Sequence, residues 1–95
     1  MENLNFSYER VLVMDTIYYS ALGLCAFIDS LAGRSISLRV MTLSALQKQV
    51  SARHGEPGRV LVITELTSES ETLAEGLAFL KFAKDEWPAD QYSII

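Results

Sequence analysis

Two short apolar runs, Val11-Leu12-Val13-Met14 and Val60-Leu61-Val62-Ile63, decide the fold class of this chain. Both runs are continuous rather than alternating, which is typical of strands buried on both faces of a parallel sheet. An acid closes each run: Asp15 follows the first directly, and Glu65 follows the second after Thr64. The sequence therefore predicts two buried parallel strands with a carboxylate at the carboxyl end of each.

Two weaker segments predict further strands. Between residues 36 and 41, Ile36, Leu38 and Val40 alternate with polar side chains, which indicates a half-exposed or edge strand. The segment Tyr92-Ser93-Ile94-Ile95 begins a fourth strand. We expect the sheet to be incomplete there, with an apolar edge that lacks cover.

Helical patterns lie between the strands, each with apolar residues at helical spacing. The stripes are Leu24, Ile28 and Leu31 within residues 16–32; Leu43, Leu46 and Val50; and Leu73, Leu77 and Leu80. Gly33 is placed to end the first helix, and Trp87-Pro88 to end the third. The resulting order, strand-helix-strand-helix-strand-helix-strand, predicts an α/β domain over residues 1–95 with a parallel sheet covered on both faces.

Capping patterns predict where two of the helices begin. Thr72 with Glu75 fits a capping box, and Ser44 with Gln47 fits another, with Thr42 as the rival N-cap.

Several single residues favour structural interpretations. Gly23 and Gly76 lie inside helical patterns and indicate close packing of backbone on the sheet, whereas Cys25 is expected in the core. His54 is expected at the surface, and Glu71 on a solvated face.

Composition excludes several classes of function. The chain has 95 residues, 8 basic and 12 acidic side chains, and a net charge of -4, which argues against direct binding to nucleic acid or anionic lipid. Its longest apolar stretch, Ala21 to Ile28, is too short to span a membrane, since about 20 residues are needed. A single cysteine forms no disulfide within the chain, which suits a reducing compartment. We expect a cytoplasmic protein.

Asp15 and Glu65 are the candidate site. If their strands are neighbours, the two carboxylates lie close together at the sheet edge where α/β folds bind ligands. One interpretation is a Mg²⁺ or phosphoryl site, since Mg²⁺ prefers carboxylate oxygens. The other is that two strands simply end in polar residues.

The chain resembles the receiver domains of bacterial response regulators, most closely those of the NarL/FixJ (LuxR-type) family. The resemblance is carried by segments 10–15, 21–24, 60–66 and 75–88 in this order. It implies a three-layer, flavodoxin-like (CheY-like) sheet. It also implies a site with two acids after the first strand that hold Mg²⁺, and an aspartate after the third strand that accepts the phosphoryl group.

Carried over by position, these site residues are degenerate here. Met14 and Asp15 take the place of the acidic pair, and Glu65 that of the phosphoacceptor, with Thr64 and Tyr18 at the pocket rim. The resemblance also implies a Ser or Thr after the fourth strand and a Lys after the fifth, both in contact with the phosphoryl oxygens, and these positions fall beyond Ile95. Because phosphoryl transfer depends on positioning and charge neutralisation, we expect negligible transfer. A second interpretation is that Glu65 imitates a phosphorylated residue with a fixed negative charge.

The resemblance therefore predicts a non-phosphorylated interaction domain of a transcription regulator, with no cofactor, no catalytic residue and no metal. Its partner would be a second copy or an RcsB-like response regulator. The alternative is a small Mg²⁺-dependent phosphoryl-transfer or phosphatase-like enzyme that uses Asp15 and Glu65, the weak candidate metal ligands.

Overall fold

The computed structural model describes residues 7–53 and 55–95, so the predicted surface residue His54 lies outside the described residues. Strands and helices alternate along the chain. They are β1 (Arg10–Met14), α1 (Tyr18–Ala32), β2 (Ser37–Val40), α2 (Leu43–Ala52), β3 (Val60–Thr64), α3 (Leu73–Glu86) and β4 (Tyr92–Ile94). All strand pairs are parallel, in the order β2-β1-β3-β4. The prediction of an α/β chain with a parallel sheet is confirmed, and the two continuous apolar runs form its central strands.

The strand side chains alternate between two apolar clusters, one on each face of the sheet. On one face, Leu12 and Val62 pack with side chains of α2 and α3. On the other, Val11 and Val13 pack against Ile28 of α1. The domain therefore has three layers: α1, the sheet, and the pair α2 and α3. Helix α1 packs chiefly over β1 and β2, and Leu61 and Ile63 of β3 border the same cluster as half-buried residues.

Helix boundaries follow the capping chemistry, with one correction. Gly33 ends α1 at a φ of 73°, and Thr72 and Glu75 make both hydrogen bonds of the predicted capping box. The predicted box of Ser44 with Gln47 is wrong, because Ser44 lies inside α2. Thr42 is the N-cap instead: its backbone is extended, and its hydroxyl accepts a backbone N–H from the first turn.

Helix α3 buries a different side from the one that its leucines indicate. Leu73 and Leu77 are 54% and 51% exposed. The buried positions are Gly76 and Ala83, and a Cβ at residue 76 would overlap the backbone carbonyl of Leu66. The helix thus approaches the loop after β3 through Gly76, and Leu73 and Leu77 remain exposed. Gly23 differs from Gly76: a Cβ there would meet nothing within 4 Å, so its predicted close packing is wrong.

The two edges of the sheet are β2 and β4. On β2, Leu38 is 40% exposed, as expected of an edge strand. Beyond β4, Ile95 donates its backbone N–H to the carbonyl of Val62 at 2.8 Å, whereas its side chain is 75% exposed.

Candidate functional site

Asp15 and Glu65 lie at the same edge of the sheet, directly after adjacent strands. In the register of β1 and β3, Met14 pairs with Thr64, so the two acids are the next residue on each strand. The backbone N–H of Glu65 also donates to the carbonyl of Met14 at 3.3 Å. Both acids are half-buried. The structure thus brings together the two carboxylates that the sequence places at the carboxyl edge.

Hydrogen bonds fix Asp15 in the turn that leads into α1. Its Oδ1 accepts the backbone N–H of Ile17 at 2.8 Å. Its backbone carbonyl accepts two bonds from Arg39 on β2, from Nε at 3.0 Å and from Nη2 at 2.8 Å. The same guanidinium lies 5.6 Å from the centre of the Tyr18 ring, within range of a cation–π contact. A fixed positive charge therefore stands beside the turn, and it opposes the binding of a further cation there.

Glu65 is held by Thr16, the residue after Asp15. One oxygen of Glu65, Oε1, accepts the hydroxyl of Thr16 at 3.1 Å and its backbone N–H at 3.4 Å. These contacts join the loop after β3 to the turn after β1. The Glu65 carboxylate therefore has a structural role, because it ties two neighbouring loops together at the sheet edge.

The remaining residues of the predicted pocket lie in three different environments. Met14 is 1% exposed and packs in the cluster shared with α2 and α3, so its side chain points into the core. Thr64 is half-buried, and its hydroxyl donates to the carbonyl of Glu65 at 2.8 Å. Tyr18 is 56% exposed at the start of α1. The position that the resemblance assigns to the missing acid is thus a core position here.

The acidic edge offers two carboxylates, Asp15 and Glu65, as potential metal ligands. Across residues 7–53 and 55–95, no three acidic, histidine or cysteine side chains lie close enough to hold a metal together. Mg²⁺ needs near-octahedral oxygen ligands, often with one or two carboxylates and substrate phosphates. At Asp15 and Glu65, one oxygen of each carboxylate already accepts backbone or hydroxyl protons.

Glu71 has a role that the sequence did not reveal. Its two oxygens accept the backbone N–H groups of Leu43 at 2.6 Å and Ser44 at 3.0 Å, at the start of α2, and Ser68 donates its hydroxyl to Oε1. Partial burial raises the pKa of Glu71, but these hydrogen bonds outweigh it and hold the pKa below the usual value of 4.5. The expected solvated position is wrong, since this acid caps a helix from another loop. No local spacing signals a contact across 28 residues.

Asp29 plays a similar part at the end of α1. Its Oδ1 accepts the backbone N–H groups of Ile36 and Ser37, each at 2.9 Å. The bond from Ile36 is the main cause that lowers the pKa of Asp29 from 3.8; desolvation opposes it, and the bonds from Ser37 add to it. The one charged side chain of α1 is therefore committed to the start of β2.

The solvent side of α1 is apolar and uncharged, a feature absent from the predictions made from sequence. We call it the α1 face, and it consists of the exposed residues Tyr19, Leu22, Gly23, Ala26, Phe27 and Ser30. Tyr19 is 81% exposed, Leu22 52% and Phe27 61%. A surface helix usually carries charges opposite its buried stripe, so this face is unusual for a helix that lies at the surface.

A cavity of about 370 Å³ lies between the carboxyl ends of α2 and α3, away from the acidic edge. Its lining includes Arg53, Trp87 and Tyr92. Arg53 pairs with Glu56 at 3.2 Å, while its Nε is buried without a hydrogen-bond partner. None of the predicted site residues borders this cavity.

Comparison with known proteins assigns no family: no family model, no curated protein and no solved structure matches the chain. Among the described residues, no helix is long and apolar enough to cross a membrane.

Proposed function

We propose that this chain is a receiver-like interaction domain of a bacterial transcription regulator that accepts no phosphoryl group and acts by pairing with another protein. The family comes from the sequence resemblance, and the mode of action from the α1 face. A four-stranded parallel sheet between helical layers is compatible with the flavodoxin-like architecture that the resemblance implies.

The surroundings of Asp15 and Glu65 support the absence of phosphoryl transfer. Glu65 is bonded to Thr16, and its carboxylate extends one methylene further from the strand than an aspartate would. Met14 stands where the resemblance implies the second acid, and its side chain packs in the core. The acidic pair is therefore reduced to Asp15. A misplacement of about 1 Å can cost a reaction about a hundredfold in rate. Here two positions, Met14 and Glu65, differ from the residues that the resemblance implies.

The observation that carries the proposal is the α1 face. Its aromatic and aliphatic side chains, with the flanking Ile17 and Tyr18, offer on the order of 500 Å² of exposed apolar surface. The largest apolar patch on a monomeric protein is usually about 300–600 Å² and is often functional. A stable interface buries about 800 Å² on each partner. The α1 face is therefore large enough to form the centre of a protein interface.

A matched pair of leucine variants tests the proposal. Leu22 in the α1 face and Leu77 on α3 are equally exposed, at 52% and 51%. Leu22→Glu places a charge in the interface and should weaken pairing at least about tenfold, whereas Leu77→Glu should leave it unchanged. Light scattering would measure pairing of each variant with itself and with a purified RcsB-like response regulator. Circular dichroism would verify that both variants fold.

Failure to pair with either protein would overturn the proposal, as would equal effects of the two leucine variants.

A second measurement tests whether the chain accepts a phosphoryl group. After incubation with acetyl phosphate and Mg²⁺, the intact mass should not increase by the roughly 80 Da of a phosphoryl group. A stoichiometric adduct on Glu65 would contradict the proposal and favour the phosphoryl-transfer alternative.

A further inference from the structure

We infer that the partner on the α1 face is a second copy of this chain, whose α1 packs antiparallel against the first. This inference rests on the proposed function and names its partner and geometry. A symmetric dimer of this kind uses the same patch on both copies, so the patch must be complementary to itself.

Charge is the first argument for a second copy. The chain carries a net charge of -4, so two copies repel each other over most approaches. Helix α1 contains one charged residue, Asp29, which is bonded to the start of β2. The α1 face itself has none. By contrast, the exposed leucines of α3 share their helix with five charged residues: Glu75, Lys81, Lys84, Asp85 and Glu86. The α1 face is thus a surface on which two like-charged copies can meet without opposing charges at the contact.

Shape is the second argument. In an antiparallel pair centred between Gly23 and Ala26, Gly23 of one copy lies opposite Ala26 of the other, so the backbones can approach closely at the crossing. On either side of the crossing, Leu22 lies opposite Phe27. Further out, Tyr19 lies opposite Ser30, a large residue against a small one. The six residues of the α1 face therefore pair with each other in three complementary contacts, and each contact occurs twice in the dimer.

The exposed area limits the size of this interface. About 500 Å² on each copy is less than the roughly 800 Å² typical of a stable complex. We therefore expect a reversible dimer with a Kd on the order of 10 µM.

Gly23 offers a test that separates folding from pairing. A Cβ at this position meets nothing within 4 Å in the single chain, so a larger side chain fits the folded monomer. Replacing a helical glycine also favours the helix, by about 1 kcal/mol for alanine. Gly23→Gln should therefore leave the melting temperature of the monomer unchanged or higher. In the dimer, however, its side chain should hold the α1 helices of the two copies apart where they cross.

The experiment is sedimentation velocity of the full chain from about 1 µM to about 300 µM. The wild type should change from its 10.6 kDa monomer to a species of twice that mass. Gly23→Gln and Ala26→Gln should raise the Kd at least about tenfold. Ala74→Gln, the same change as Ala26→Gln at an exposed position of α3, should have no effect.

A wild type that stays monomeric but binds the RcsB-like regulator would overturn the inference and leave the proposed function standing. A dimer that persists in both Gly23→Gln and Ala26→Gln would place the contact elsewhere and overturn the inference as well. If the chain pairs with neither itself nor the regulator, both the inference and the proposed function fail.

Discussion

Glu71 lies 2.6 Å from the backbone nitrogen of Leu43 and caps the first turn of α2 from a loop 28 residues further along the chain. Its second oxygen accepts the next backbone N–H, that of Ser44. Carboxylates are favoured at helix N-termini because the unpaired N–H groups there carry partial positive charge. The contact links the loop after β3 to the start of α2 and so joins these two elements at the carboxyl edge of the sheet.

Replacing this carboxylate should destabilise the fold. Glu71→Gln keeps the shape but removes the charge, and we expect the free energy of unfolding to fall by about 1–2 kcal/mol. Urea denaturation at a protein concentration of about 1 µM, below the expected dimer Kd of about 10 µM, would measure this. Glu69→Gln is the matched control, because Glu69 is exposed two residues away. An equal loss in both variants would contradict the capping role.

The lowered pKa of Glu71 predicts that the free energy of unfolding depends on pH. The pKa of Glu71 is lower in the folded chain than its usual value of 4.5, so the native state favours the charged form. Its contribution to stability is therefore complete above the unfolded pKa and is lost as the pH falls through the folded pKa. Asp29, whose pKa is also lowered, behaves in the same way.

Urea denaturation at several pH values would check the sign. The stability difference between wild type and Glu71→Gln should be largest near pH 7 and should shrink as the pH falls below 4.5 and the wild-type carboxyl becomes protonated. A difference that grows on acidification would mean that the pKa of Glu71 is raised by folding, contrary to the hydrogen bonds seen here.

Substitution by alanine should have opposite effects on stability at the two helical glycines, Gly76 and Gly23. Gly76→Ala places a methyl group against the backbone carbonyl of Leu66, and this overlap should cost about 1–3 kcal/mol, more than the gain in helix propensity. Gly23→Ala meets open space and should stabilise the monomer by up to about 1 kcal/mol. Thermal unfolding at about 1 µM would compare the two. Destabilisation by Gly23→Ala would show that α1 packs more closely than described.

Magnesium titration tests whether the acidic edge at Asp15 and Glu65 binds a cation. Because Arg39 bonds the turn at Asp15 and Thr16 bonds Glu65, we expect no saturable Mg²⁺ binding tighter than about 1 mM. Isothermal titration of wild type and Asp15→Asn would measure it. A saturable site in the wild type that Asp15→Asn abolishes would favour the enzymatic alternative.

The fold was predictable from sequence where local chemistry decides it. The runs 11–14 and 60–63 are too apolar and too β-branched for exposed positions, and they form the central strands. Gly33 and Thr72 end and begin helices through bonds within their own turns. The prediction at Ser44 was wrong because two candidate caps lie two residues apart, and only the backbone conformation of Thr42 distinguishes them.

The acidic edge was predictable in position but not in its bonding. The parallel order placed Asp15 beside Glu65, since both follow neighbouring strands. The bond of Thr16 to Glu65 depends on how two loops meet across 49 residues, which no local pattern encodes. The α1 face was missed for a related reason: an apolar stripe marks the buried side of a helix, but it does not show that the opposite side is apolar too.

The most direct measurement of the α1 pairing is a contact between copies, seen by isotope-filtered NMR on a mixture of labelled and unlabelled chain. We expect intermolecular NOEs between the methyl groups of Leu22 in one copy and the ring of Phe27 in the other. Intermolecular NOEs that arise only from residues outside α1, such as Leu77 on α3, would contradict it.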